Sequence, residues 1–166
     1  YSVPALNAIL SRYPQVRVSF LGTLIPESEV YKDFEPDVRN RVCVIPHFNH
    51  DMLPQLLKNH QIKLFPSLSE GFSLALPEAM ACGLAPVATS VPGVTDILKD
   101  GYNSILIPSR NRDAIQMALE QLISDHNQLE KLRCNAYDSA QHYSWRIVAQ
   151  HQLSLYEEAL EKETFI

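Results

Sequence analysis

Two carboxylates, Glu70 and Glu78, bracket a turn in the stretch FPSLSEGFSLALPEAMACG, with no basic residue between them. Beside a phosphate such acids would be repelled. A carboxylate does accept hydrogen bonds from hydroxyl groups, and one can take both from a vicinal diol. Gly71 follows the first acid, and a helical pattern runs from Leu74 to Cys82, with Gly83 suited to a left-handed cap at its end. Pro77 falls in the first turn of that helix, where a missing N–H is tolerated. The amides of Gly71, Phe72, Ser73 and Leu74 are then available at the helix start, a seat for an anion supported by the helix dipole. Gly71 leaves room for a ligand to approach the backbone. Acids on either side of an anion seat match a ligand with hydroxyls, then a diphosphate, then hydroxyls, which is the layout of a sugar nucleotide. Taken singly, each acid is more often a solvated loop residue or a helix-dipole partner. The glycine, the turn and the pair together favour a ligand.

The surrounding elements explain the placement. Five short β-rich runs, QVRVSFLG, RVCVIP, QIKLFPS, APVATS and NSILIPS, alternate with helical patterns at Pro4 to Arg12, Met52 to Asn59, Leu74 to Cys82, Val94 to Leu98 and Arg112 to Ile123. Such alternation predicts an α/β fold, a Rossmann-like parallel sheet with helices on both faces. Beyond Asp125 the pattern is helical only. Leu129, Leu132, Ala136 and Ala140 share one face, and Ile147, Leu153, Leu155, Tyr156 and Leu160 mark a second tail helix. In an open parallel sheet, ligands bind beyond the carboxyl ends of the strands. The turn carrying Glu70 lies there, between the IKLF run and its helix.

Composition excludes several function classes. The 166 residues are 46% hydrophobic and 20% charged, as in a globular domain, and the net charge of −5 comes with no basic block. Nucleic acid and anionic membranes are therefore poor partners, and no apolar run reaches the length of a membrane span. Cys43, Cys82 and Cys134 are far apart and in apolar settings, which reads as reduced core residues of a cytoplasmic protein. GFSLA lacks the second glycine of a nucleophile elbow, so Ser73 reads as a helix cap. His47 and His50 have no accompanying acid or thiol cluster, so no metal site is expected. The absence of Gly-x-Gly-x-x-Gly speaks against a redox dinucleotide, and no cofactor is expected. Tyr143, Trp145 and Tyr156 read as core or packing surface.

The segment SEGFSLALPEAMACGLAPVATSVPGVTDIL resembles the Glu-x7-Glu region of the family 4 retaining glycosyltransferases, which have the two-domain GT-B fold. The resemblance extends backward through PALNAILSRYPQVRVSFLG and forward through DGYNSILIP to Ser144 and Trp145, nearly the whole chain. It implies that residues 1–166 form a single donor-binding domain, truncated at its N-terminus and separated here from an N-terminal acceptor domain. It implies that Glu70, the catalytic candidate, contacts the donor sugar and that Glu78 holds the ribose hydroxyls. The amides of Phe72, Ser73 and Leu74, beside Gly71, would cradle the diphosphate, with His47 and Phe48 forming the wall around the base. The donor would be a nucleoside diphosphate sugar of UDP, GDP or ADP type. The alternatives are a non-catalytic nucleotide-sugar binding module and a GT-B-fold sugar-nucleotide epimerase. Asp96 stands where the family more often has Glu, Ser104 where Gly is frequent, and Lys63 interrupts a strand that should be apolar.

The resemblance also implies a gap. The family's domain opens with a central strand whose following loop supplies an Arg and a Lys to the diphosphate, and this sequence begins at the helix after it. QVRVSFLG and QIKLFPS normally flank that strand. The expectation is a slot between them, with the strand axes about 10 Å apart, filled by a segment of a neighbouring chain or by a further piece of the protein, rather than direct pairing of the two.

Overall fold

A computed structural model describes residues 1–163. Its elements in chain order are α1 (Ser2–Arg12), β1 (Val18–Leu21), α2 (Glu27–Lys32), β2 (Val42–Ile45), α3 (Leu53–Leu57), β3 (Ile62–Phe65), α4 (Ala75–Ala81), β4 (Ala85–Thr89), β5 (Ile105–Ile107), α5 (Arg112–Ser124), α6 (His126–Ala140) and α7 (Trp145–Glu163). All five β-rich runs form strands, and every pairing is parallel. The fold is α/β, as the alternation of elements predicts. Three differences have physical causes. The six-residue α2 lies in a segment, ESEVYK, too short to show a period. Val94 to Leu98 forms linked turns instead of a helix, because buried Asn103 takes over local bonding there. Its Oδ1 accepts from the Lys99 amide at 2.7 Å and its Nδ2 donates to the Ile97 carbonyl at 3.3 Å. The cysteines are free, but Cys43 and Cys134 are exposed rather than in the core. Cys43 alternates with buried Val42 and Val44 on β2, and Cys134 lies off the Leu129, Leu132 and Ala136 face of α6.

The sheet is split. β1 pairs only with β2, and β3, β4 and β5 form a separate ladder with β4 in the middle. Among the described residues β1 and β3 share no ladder pair, so the two strands stand apart and direct pairing is not found. β4 is buried at all five residues, as a strand covered on both faces must be. All four residues of β1 and of β3 are only partly buried. Across the gap, His60 Nε2 lies 2.8 Å from Ser19 Oγ, and residues of both strands line a cavity of about 850 Å³.

Helices cover both faces. The larger cluster joins Leu6, Ile9 and Leu10 of α1 and Ile115, Leu119 and Leu122 of α5 to Val42, Val44 and Val87. The second joins Leu76 and Met80 of α4 and Ala136 and Ala140 of α6 to Ala88, Val94 and Leu98. Side-chain caps fix the entries of α5 and α6: Asn111 accepts from the Ala114 amide and Asp125 from the Gln128 amide, each at 2.9 Å. The tail divides. The Leu129 to Ala140 stripe is buried as its spacing predicts, whereas Trp145 is 74% and Tyr156 59% exposed. These two are not core residues, because α7 leaves the domain past the turn at Gln141–Tyr143. Only Tyr143 packs, against the α4 side.

Lys63 is the anomaly of the strand interior. Ile62 and Leu64 face the larger cluster, so Lys63 and Phe65 turn to the α4 side. The Lys63 ammonium lies 5.9 Å from the centre of the Phe65 ring and makes no hydrogen bond or ion pair among the described residues. Burial pushes its pKa below the usual 10.5, with the Glu78 carboxylate opposing the shift. The folded state thus disfavours the charged form. That cost is full below the folded pKa and fades as pH rises towards 10.5. Lys63→Met is therefore expected to stabilise this chain by about 1 kcal/mol near neutral pH, on the order of 2–4 °C in Tm. Thermal melts at neutral and alkaline pH check this, the gain shrinking at the higher pH.

Candidate functional site

The turn from Ser67 to Leu74 leaves the carboxyl end of β3 and is held from two sides. From β4, Thr89 Oγ1 donates to the Ser67 carbonyl in a short bond. Within the turn, the single Ser67 Oγ proton is shared between the Ser69 carbonyl at 3.0 Å and Glu70 Oε1 at 3.3 Å, which keeps the Glu70 carboxylate beside Ser67. Gly93, at φ +80°, backs the turn so closely that a Cβ there would lie 2.2 Å from the Gly71 carbonyl oxygen and 2.7 Å from that of Glu70. Gly71 itself is open, with nothing within 4 Å of a Cβ built on it.

Beyond Gly71 the helix begins later than the spacing predicts, at Ala75, with Leu74 in the N-cap position and no side-chain cap. Ser73 is therefore not a helix cap; it is buried one residue before that position. The amides of Gly71, Phe72, Ser73 and Leu74 donate to no backbone or side-chain acceptor among the described residues. Phe72 is half-exposed and its ring lies 6.1 Å from that of Tyr143. At the far end, Gly83 takes the left-handed cap at φ +78°, and its amide bonds the Met80 carbonyl at 2.9 Å.

Glu78 sits half-buried on α4, and its Oε1 is 2.9 Å from His50 Nε2. His50 reaches it from the single turn His50–Met52 after β2, which Asn49 caps by accepting from the Asp51 amide at 3.1 Å. Glu78 also lines the cavity between β1 and β3, and Phe48 lies on the same wall. Phe48 packs over Gly22, where a Cβ would stand 3.3 Å from the ring edge. His47 is exposed beside it. Glu70 belongs to the turn rather than to the cavity wall. The two acids are thus held separately, Glu70 by Ser67 and Glu78 by His50. No group of three or more His, Cys, Asp or Glu among the described residues is placed to hold a metal ion.

Sequence reasoning missed His50, Thr89 and Gly93. His50 shows no spacing relation to Glu78, since the two meet only through folding. Gly93 carries a local signal, the Val-Pro-Gly turn, but what it backs depends on a turn distant in sequence.

Comparison with known proteins extends this geometry. An uncharacterized glycosyltransferase of Methanocaldococcus jannaschii is 32% identical over 129 residues, covering 77% of this chain and 33% of that protein. Among solved structures, sucrose-phosphate synthase from Thermosynechococcus elongatus matches 97% of this chain and 43% of its own at a TM-score of 0.82, with 21% identity. A pneumococcal O-GlcNAc transferase in complex with UDP and GlcNAc matches at 0.77 with 26% identity, covering 95% of this chain and 32% of that one. The fold is that of GT-B glycosyltransferases. The chain spans between 23% and 41% of the length of the first curated relatives it matches. No helix among the described residues is long and apolar enough to cross a membrane. The family model for glycosyl transferases group 1 matches residues 3–139, and the chain belongs to that family.

Proposed function

We propose that this chain is the nucleotide-sugar-binding half of a retaining, family 4 glycosyltransferase, a C-terminal donor domain that works in the cytoplasm against an N-terminal acceptor domain. The observation that carries the reading is the run of unpartnered amides from Gly71 to Leu74, set between two separately held carboxylates. The donor is a nucleoside diphosphate sugar. A pneumococcal relative of the same fold holds UDP, which favours a uridine base over guanosine or adenosine.

In this reading Glu78 accepts from the ribose hydroxyls while His50 fixes its carboxylate. The amides of Phe72, Ser73 and Leu74 receive the diphosphate and stabilise the charge that develops on it as the sugar leaves. Glu70, steadied by Ser67, orients the donor sugar. Phe48 and His47 border the base. Transfer itself needs the acceptor domain to close the cleft and the cations that follow the family's first strand.

Without those cations the chain should bind nucleoside diphosphates weakly, with a Kd near the millimolar range, about 4 kcal/mol. At ten times Kd such a ligand stabilises by about 1.4 kcal/mol, roughly 3–6 °C in Tm. A thermal-shift screen of UDP, GDP, ADP and their sugar conjugates tests this. A shift with one base class is the expected result; no shift with any of them at 10 mM, about ten times the expected Kd, contradicts the reading.

A further inference from the structure

We infer that Leu24 is a further donor-binding residue, an apolar edge that packs on the nucleobase beside the loop carrying Phe48. The inference rests on reading the Gly71 turn as a nucleotide seat and adds a residue that touches the base.

Leu24 is out of place as a turn residue. Its φ of +60° lies in the left-handed region, where a bulky side chain is a rare and costly occupant. A turn selected for its geometry alone would take Gly, Asn or Asp there. Arg110, the other described non-glycine residue with positive φ, is a polar side chain in the turn that leads to the Asn111 cap. Leu24 is apolar and 73% exposed, with Ile25 beside it 48% exposed. It belongs to none of the three core clusters. A strained backbone and an uncovered apolar side chain thus coincide at one residue, with no packing to offset either. Strain of this kind gathers at ligand clamps and active sites.

The turn is also fastened to the loop that the proposed function places round the base. The Gly22 amide donates to the Ile45 carbonyl at 2.8 Å and the Leu24 amide to the Pro46 carbonyl at 3.2 Å. Thr23 Oγ1 donates to the Ile25 carbonyl at 3.0 Å, which closes the turn, and the Phe48 ring lies over Gly22. The loops after β1 and β2 therefore form one rim at the carboxyl end of the sheet. Contacts run along that edge in order. The Gly71–Leu74 amides precede α4, Glu78 lies about one turn into it, and His50 pairs with Glu78. Phe48 stands two residues before His50, and Pro46 holds Leu24. A ligand laid out as diphosphate, ribose and base meets Leu24 last. Thr23, Asn49 and His50 of this rim already have partners, so the contribution of Leu24 is to cover a flat apolar face. A backbone held in place beforehand offers that cover without reordering when the ligand arrives.

Amide NMR titrations with UDP, GDP, ADP and inorganic pyrophosphate test the proposal on the parent chain, Leu24→Gly and Leu24→Ala. Gly relieves the strained φ and Ala keeps it, and both remove the apolar side chain. Each variant is expected to bind the preferred nucleoside diphosphate about three- to tenfold more weakly, the range for uncovering part of a leucine. Pyrophosphate affinity should not change. Leu24→Gly should melt no lower than the parent and Leu24→Ala close to it, so that lost affinity is not a lost fold. Variants that bind the nucleotide as the parent does, in a parent whose Gly71–Leu74 amides respond, overturn the proposal and leave the donor site standing. Equal weakening of nucleotide and pyrophosphate overturns it too, since Leu24 would then act on the diphosphate seat. Silence of those amides in the parent with every nucleotide removes the donor reading, and this inference with it.

Discussion

Gly93→Ala should unseat the Glu70 turn and is expected to be the most damaging single-methyl change near the site. The added Cβ would meet two backbone oxygens at 2.2 and 2.7 Å, and neither can rotate away as a side-chain end could. The left-handed φ of +80° adds a further cost of roughly 1–2 kcal/mol for a residue with a side chain. A total loss of about 3 kcal/mol or more is expected, on the order of 6–12 °C in Tm. Gly71→Ala is the control. Nothing lies within 4 Å of its Cβ, so stability should stay within about 0.5 kcal/mol. Ligand binding should still suffer there, because the new methyl would stand where a diphosphate approaches the backbone. Melting curves separate the two variants: a Gly93→Ala chain as stable as the parent would show that the turn is not held from behind.

The second large effect is a division of labour between the acids. Glu78→Ala should weaken binding of both the free nucleoside diphosphate and the sugar conjugate by about 10- to 100-fold, the range of one hydrogen bond to a charged group. Glu70→Ala should leave the free nucleotide unaffected and weaken only the conjugate. Neither change should cost much stability. The His50–Glu78 pair is largely open on its histidine side, 71% exposed, and such pairs contribute roughly 0–1 kcal/mol. Isothermal titration of each variant with nucleotide and conjugate reads this directly. Equal losses of free-nucleotide affinity in both variants would overturn the assignment.

What was legible beforehand follows from locality. The five strands could be read because short apolar runs ending at Gly, Pro or Ser carry their signal within a few residues. The buried stripe of α6 was readable for the same reason, its period running from Leu129 through Leu132 and Ala136 to Ala140. Gly83 announced the end of α4 because only a few residue types suit a left-handed cap. The open sheet was reachable only through resemblance, since no local pattern records that β1 and β3 stand apart. The supports of the site were not legible. Thr89, Gly93 and His50 act on Ser67, Gly71 and Glu78 across more than 20 residues of chain, and each meets its partner only after the sheet and α4 are assembled. The outward face of α7 defeated the pattern differently: an amphipathic period says that a face wants cover, not where the cover comes from.

In the proposed function the amides between the two glutamates receive the diphosphate of a nucleotide. Backbone amide NMR of this chain, titrated with UDP-sugar and with the GDP and ADP equivalents, tests it most directly. Saturable shifts are expected at Gly71, Phe72, Ser73 and Leu74, with a weaker set at Phe48 and around Glu78, for one base class. Shifts confined to other surfaces, such as the shallow hollow lined by Gly83, Arg133 and Asp138, would contradict it, as would silence at those four amides up to saturation elsewhere.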